Sequence, residues 1–94
     1  MPVAANHDSR ARLTTLLRER ALVRESVVLS SGRRSSYYFD ARQVLLDPEG
    51  AALSGELMWR DLAPSGPRAV GGLTLGADPL VCAVSATAWA AGER

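Results

Sequence analysis

The stretch Val70-Gly71-Gly72-Leu73-Thr74-Leu75-Gly76-Ala77-Asp78-Pro79 decides the fold. Arg68-Ala69-Val70 ahead of it reads as the visible part of a buried strand. Gly71 to Ala77 is a glycine-rich loop, and Asp78-Pro79 opens a helix with a capping Asp and a Pro at its first position. Leu80 to Ala91 is apolar almost all round, with only Ser85 and Thr87 polar, so this helix is expected to be buried on more than one side. Strand, glycine loop and buried helix in that order make half of an α/β unit. A glycine turn running into a helix N-terminus clusters backbone N–H groups at the positive end of the helix dipole, which suits an anion or a phosphate. It is not a Walker loop, because Ala77-Asp78 stands where Lys-Ser/Thr is required, and it is not the dinucleotide glycine fingerprint. The plain structural alternative is a tight turn that needs positive φ.

Upstream, Asp47-Pro48-Glu49 predicts a helix running to about Leu62, with Leu53, Leu57, Met58 and Leu62 on its apolar side. Gly50 and Gly55 weaken that helix but permit close packing. Pro64-Ser65-Gly66-Pro67 stops it. Ala41 to Leu46 is a candidate extended segment. Val27-Val28-Leu29 and Tyr37-Tyr38-Phe39 read as the arms of a hairpin joined by the polar run Ser30 to Ser36. Tyr37 and Phe39 would share one face and Tyr38 the other, so neither face is purely wet or dry. Residues 1–8 read as a flexible tail, followed by a helix from about Arg10 to Val23. Leu13, Leu16, Leu17 and Ala21 form its apolar stripe.

Composition narrows the chemistry. The chain has 94 residues, 47% of them hydrophobic and 22% charged, which fits one small globular domain with a modest core. The formal net charge of +1 gives no basis for a nucleic-acid-binding surface. All 11 basic residues are Arg, so Schiff-base and Walker lysines are excluded. The single Cys, Cys82, excludes an internal disulfide and a multi-Cys zinc site. The single His, His7, lies in the polar N-terminal region, which argues against a buried Ser-His-Asp triad. Met1 to Arg12 lacks the apolar core of a secretory signal. The longest uncharged run, Pro79 to Gly92, is shorter than the ~20 residues of a membrane span. The expectation is a cytoplasmic protein with no membrane and no nucleic-acid partner.

Three segments together carry a family resemblance. They are Leu29-Ser30-Ser31-Gly32-Arg33-Arg34-Ser35-Ser36-Tyr37-Tyr38-Phe39-Asp40, Leu46-Asp47-Pro48-Glu49-Gly50, and Val70 to Pro79. In order and spacing the chain resembles the N-terminal half of orotate phosphoribosyltransferase, from about Leu16 to Ala91. The resemblance implies an α/β fold: a partial type I phosphoribosyltransferase fold, with a hood hairpin (about residues 26–46) and the first part of a parallel sheet with flanking helices, all within 9–94. It implies that Ser30, Tyr38 and Phe39 bind orotate. It implies that the loop over residues 71–77, through Gly72, Leu73, Thr74, Leu75 and Gly76, receives the pyrophosphate of phosphoribosyl diphosphate. The implied reaction joins orotate to the ribose of phosphoribosyl diphosphate and releases pyrophosphate, in pyrimidine (UMP) synthesis. Mg²⁺ would be carried by the diphosphate, and the full-length family implies a homodimer.

The chain also departs from that family. It has no Asp-Asp pair followed by Thr-Thr-Gly, the element that grips the ribose and its 5-phosphate; Thr14-Thr15 falls in the first helix. Ser30 stands where many relatives have Lys, Gly76 where some have Lys, and Ser36 where Pro is common. No catalytic residue and no metal ligand is assigned in this half, and the chain alone is expected to be inactive. The alternatives are a non-catalytic pyrimidine- or anion-binding remnant and a type I relative acting on another base. The apolar helix after Pro79 should leave Trp89 exposed unless a partner, a second copy or further chain covers it.

Overall fold

The computed structural model describes residues 7–92. The element order is α1 (His7–Leu16), a π-helical turn (Leu17–Ala21), β1 (Leu22–Val23), β2 (Val27–Val28), β3 (Arg34–Ser35), β4 (Tyr38–Phe39), α2 (Arg42–Leu45), α3 (Pro48–Leu62), a 3-10 turn (Ala63–Ser65) and α4 (Asp78–Ala90). The helix expected from about Arg10 starts earlier, at His7, so residues 7 and 8 of the expected tail are helical; residues 1–6 lie outside the described residues. Its expected end is also cut short. The backbone widens into the π turn, where Leu22 N–H donates to the Leu17 carbonyl, and leaves as β1.

The stripe on this first helix behaves as its spacing predicts. Leu16 and Ala21 are fully buried with Val44 and Leu53, and Leu13 and Leu17 pack against them. This cluster is the core, and it joins α1, the π turn, α2 and α3. At its edge Arg12 makes a bidentate pair with Glu49, at 2.8 and 2.9 Å, and Arg20 meets Asp47 at 3.1 Å.

The hairpin forms, but its arms pair differently from expectation. Val27 and Val28 face Ser35 and Arg34, while Tyr38 and Phe39 pair with Val23 and Leu22 of β1. All the ladders are antiparallel. The reason is loop closure. A turn over Leu29 to Arg33 closes on itself, with Leu29 N–H donating to the Arg33 carbonyl and Gly32 N–H to the Leu29 carbonyl, both at 2.8 Å. Gly32 supplies the φ of +86° that this short turn requires. Closing the shorter loop costs less chain entropy than the longer connection to Tyr37.

Ala41 to Leu46 is not extended. It holds the short helix α2, because Asp40 organises its start: the Asp40 carbonyl accepts from Gln43 N–H, and its carboxylate accepts from Arg42 and from the Gln43 amide. Arg68-Ala69-Val70 also differs from expectation. Neither ladder includes it, and among the described residues no backbone hydrogen bond reaches it. An extended segment becomes a strand only when another backbone lies beside it.

Helix α3 follows its signals closely. It begins after Asp47, whose carboxylate accepts from Gly50 N–H at 3.0 Å, carries Pro48 in its first turn, and ends at Leu62. Its two glycines are packing devices. A Cβ at Gly50 would collide with the carbonyl of Val44, and one at Gly55 would lie 2.6 Å from the Ala83 carbonyl and 2.8 Å from the Thr87 hydroxyl. The helix therefore holds α2 at one point and α4 at another. Val84 is the one residue of α4 that is fully buried.

Gly55→Ala should destabilise the fold by about 1–3 kcal/mol through overpacking, despite gaining about 1 kcal/mol of helix propensity. Equilibrium urea unfolding measures this, and a variant as stable as the wild type would contradict the close crossing.

Three carboxylates tie the structure to pH. The Arg12 guanidinium holds Glu49 below its ordinary value, Gly50 N–H does so for Asp47, and Arg42 does so for Asp40. Each is therefore lower in the folded than in the unfolded chain. Their contribution is present above the ordinary carboxylate values and is lost as pH falls through the folded ones. The unfolding temperature should stay level from neutral pH to about pH 5 and drop below about pH 4. Asp47→Asn should flatten that drop, which thermal melts across the range would reveal.

Candidate functional site

The loop Gly71–Ala77 follows Val70 and turns into α4. Ala77 N–H donates to the Leu73 carbonyl at 3.0 Å and Asp78 N–H to the Leu75 carbonyl at 3.2 Å. The Thr74–Leu75 peptide is cis. Gly72 has a steric reason: a Cβ there would lie 2.9 Å from the Ala77 Cβ and 3.2 Å from Val81. Gly71 and Gly76 have none, since a Cβ at either would meet nothing within 4 Å. None of the three has positive φ, so the tight-turn alternative does not account for them.

The loop's donors are available. Among the described residues, the N–H groups of Gly72, Leu73, Thr74, Leu75 and Gly76 have no protein acceptor, and all five residues are exposed. Leu73 and Leu75 are 88% and 82% exposed, unusual for leucines in a turn. Chemically the segment is a short arc of amide donors beside the N-terminus of a 13-residue helix, a setting that favours negative charge.

Asp78 does not cap as its position suggested. It is the first residue of α4, with Ala77 at the cap position and no side-chain capping bond. Its carboxylate instead accepts from the Thr74 hydroxyl at 2.6 Å, pinning the middle of the loop to the helix. Sequence reasoning missed this role. The signal was a Thr and an Asp four residues apart across a helix start.

Ser30 lies exposed in the turn between β2 and β3. Tyr38 and Phe39 form β4 and are 43% and 51% exposed. Adjacent strand residues point to opposite sides, so one flat ring cannot stack on both. Phe39 is already engaged with Tyr37, their rings 6.4 Å apart and nearly perpendicular. Asp40 comes next, its N–H donating to the Ala21 carbonyl at 2.8 Å and its carboxylate gripping Arg42 at 2.9 Å. The bond to Ala21 anchors the aromatic strand to the buried π turn. Among the described residues, no hydrogen bond, ion pair or ring contact joins Ser30, Tyr38 or Phe39 to Gly72–Gly76. The two groups are linked through the scaffold, by way of α2, α3 and α4.

No family model matches the chain. It is 43% identical over 85 residues to the orotate phosphoribosyltransferase of Bradyrhizobium sp. (strain ORS 278), covering 90% of this chain and 46% of that protein. It is 46% identical over 92 residues to the orotate phosphoribosyltransferase of Sorangium cellulosum (strain So ce56), covering 96% of this chain and 47% of that one. The crystal structure of Mycobacterium tuberculosis H37Rv orotate phosphoribosyltransferase in complex with Fe(III) dicitrate superposes with a TM-score of 0.74 at 45% identity, over 81% of this chain and 45% of the other. The same enzyme in complex with inorganic phosphate gives 0.73 at 44% identity. The chain spans a little under half the length of these relatives. In sequence and in backbone, over most of its own length, the chain is a homologue of the orotate phosphoribosyltransferases and carries part of their type I α/β fold.

Proposed function

We propose that the chain supplies the orotate- and pyrophosphate-binding portion of an orotate phosphoribosyltransferase, acting in the cytoplasm within a homodimeric assembly. The observation that carries this reading is the arc of unpartnered amides at Gly72–Gly76, set on a chain homologous to such enzymes. The absence of a steric role for Gly71 and Gly76 supports it, because a glycine also lets a ligand approach the backbone closely. One solved relative is in complex with inorganic phosphate, an anion of the class such a loop suits.

In this reading the diphosphate of phosphoribosyl diphosphate accepts hydrogen bonds from the loop amides, and the α4 dipole favours its charge. Tyr38 stacks on the orotate ring, while Phe39, braced by Tyr37, shapes the hood beside it. Ser30 offers a hydroxyl at the hood turn. Bond breaking at the ribose builds charge on both sugar and leaving group, so these residues act by positioning and by stabilising the departing pyrophosphate. Magnesium would screen the diphosphate charge. Among the described residues no group of His, Cys, Asp or Glu forms a cage for a metal, so the ion would be held by the diphosphate's own oxygens.

Calorimetry with orotate should detect binding to the purified chain without turnover to orotidine monophosphate. Tyr38→Ala should weaken orotate binding by about tenfold or more. Equal affinity for orotate, uracil and xanthine would contradict the orotate assignment, and steady-state product formation would contradict the division of labour.

Thr74→Val should release the loop from Asp78, speed hydrogen exchange at Ala77 and Asp78, whose N–H groups donate to the Leu73 and Leu75 carbonyls, and weaken pyrophosphate binding several-fold. Unchanged exchange would mean that the Thr74–Asp78 bond does not order the loop.

A further inference from the structure

Residues 22–39 join the rest of the fold at one root. The chain enters at Ala21–Leu22 and leaves at Phe39–Asp40, and these two crossings lie side by side. Two backbone bonds close the root. Leu22 N–H donates to the Leu17 carbonyl, and Asp40 N–H donates to the Ala21 carbonyl at 2.8 Å. Among the described residues, every hydrogen bond and ring contact of residues 23–39 stays within that stretch. Polar contacts therefore hold this arm at its base alone.

Of the four root residues, Asp40 alone has a side chain that reaches the scaffold by hydrogen bonds. Its side chain is 16% exposed, and its carboxylate accepts from Arg42 Nε at 2.9 Å, Arg42 Nη2 at 3.3 Å and the Gln43 amide at 3.2 Å. Both donors belong to α2, which Val44 seats against Gly50 of α3. A carboxylate with three donors, two of them from one guanidinium, is a stiff joint. In the other direction Asp40 is two residues from Tyr38. The guanidinium that Asp40 holds also lies within electrostatic reach of that ring: the Arg42 pKa is raised first by Asp40 and then by the Tyr38 phenolate. Asp40 thus meets Tyr38 by two routes, along the strand backbone and through Arg42.

We propose that Asp40 is a positioning residue for the orotate site: through its fork to Arg42 and Gln43 it fixes the angle of the hairpin at its root, and so sets Tyr38 where the substrate ring stacks. The identity of the ligand rests on the substrate reading above, and the joint rests on the root geometry. A small rotation at the root is multiplied along the arm, whereas a binding constellation needs its parts held within about 0.5 Å. The amide arc at Gly72–Gly76 lies on the scaffold side of the joint, reached through α3 and α4. Loosening the joint therefore separates the two halves of the site: orotate is lost and pyrophosphate is kept.

The test uses the full chain and four variants. Asp40→Asn keeps the shape and removes the charge, Arg42→Gln changes an exposed position, Arg42→Lys keeps a cation without the fork, and the fourth combines Asp40→Asn with Arg42→Gln. Calorimetry measures orotate and inorganic pyrophosphate separately. Asp40→Asn and Arg42→Gln should each weaken orotate about tenfold and leave pyrophosphate within about twofold. Arg42→Lys should fall between the wild type and Arg42→Gln. The double variant should be no weaker than the weaker single one, because both changes break one joint. Amide order parameters at Tyr38 and Phe39 should drop from about 0.85 to below about 0.6, with those of α3 unchanged.

The proposal is overturned if both single variants bind orotate as tightly as the wild type, or if Arg42→Lys is no better than Arg42→Gln. It is overturned equally if orotate and pyrophosphate weaken together, as a general loosening of the scaffold would require. A wild-type chain that binds pyrophosphate but no orotate counts against the substrate reading, and the order parameters then decide alone. A drop confined to residues 22–39 keeps Asp40 as the residue that sets Tyr38, and no drop overturns that as well.

Discussion

Everything in this structure hangs on α3, and α3 depends on two places where a side chain is missing. At Gly50 the helix lies against the Val44 carbonyl, and at Gly55 against the Ala83 carbonyl. The first contact fixes α2, and through it the root of the hairpin. The second fixes α4, and through it the glycine loop. The Asp47 carboxylate locks the start of the same helix by accepting from Gly50 N–H, while its other oxygen meets Arg20 beside the buried Ala21. Interiors pack too densely to absorb a shift at one of these points without moving the other. The separation of aromatic strand and amide arc is therefore set by the length of one helix.

Arginine is used here largely as mortar. Arg12, Arg20 and Arg42 each hold a carboxylate, of Glu49, Asp47 and Asp40, and each pair joins elements or a segment entering one. The arginines of these pairs are exposed, so individually the pairs add little stability and mainly fix geometry. With no lysine in the chain, the glycine loop offers an anion only fixed dipoles. Such donors need no reorganisation when charge arrives, but they supply no compensating proton or full charge.

Much of this was legible from residue types. Asp47-Pro48-Glu49 announced α3, because capping is local chemistry between near neighbours. The stripe Leu13, Leu16, Leu17 and Ala21 announced the core, because helical periodicity is likewise local. The hairpin register was not legible. Val28 could pair with Arg34 or with Tyr38 by propensity alone, and only the closed turn at Gly32 decides between them. Ala41 to Leu46 was misjudged for a related reason: Asp40 organises α2 through contacts with Arg42 and Gln43 that no hydrophobic pattern records. Arg68-Ala69-Val70 failed as a strand for want of a neighbour, which a single segment's sequence cannot reveal. In the site, the exposed loop and aromatics were legible, whereas the Thr74–Asp78 bond needed the loop's actual path.

The π turn at Leu17–Ala21 has a consequence for how this chain tolerates change in length. Its wide turn holds one residue more than an α-helical turn would, and that residue brings the Ala21 carbonyl to Asp40 N–H. Deleting a single residue from the regular α-helical part of α1 would rotate the π turn and β1 about the helix axis by about 100°. Leu22 and Val23 would then present the wrong edge to Phe39 and Tyr38. The first helix therefore cannot be shortened by one residue without unseating the aromatic strand, although nothing in that strand has been altered.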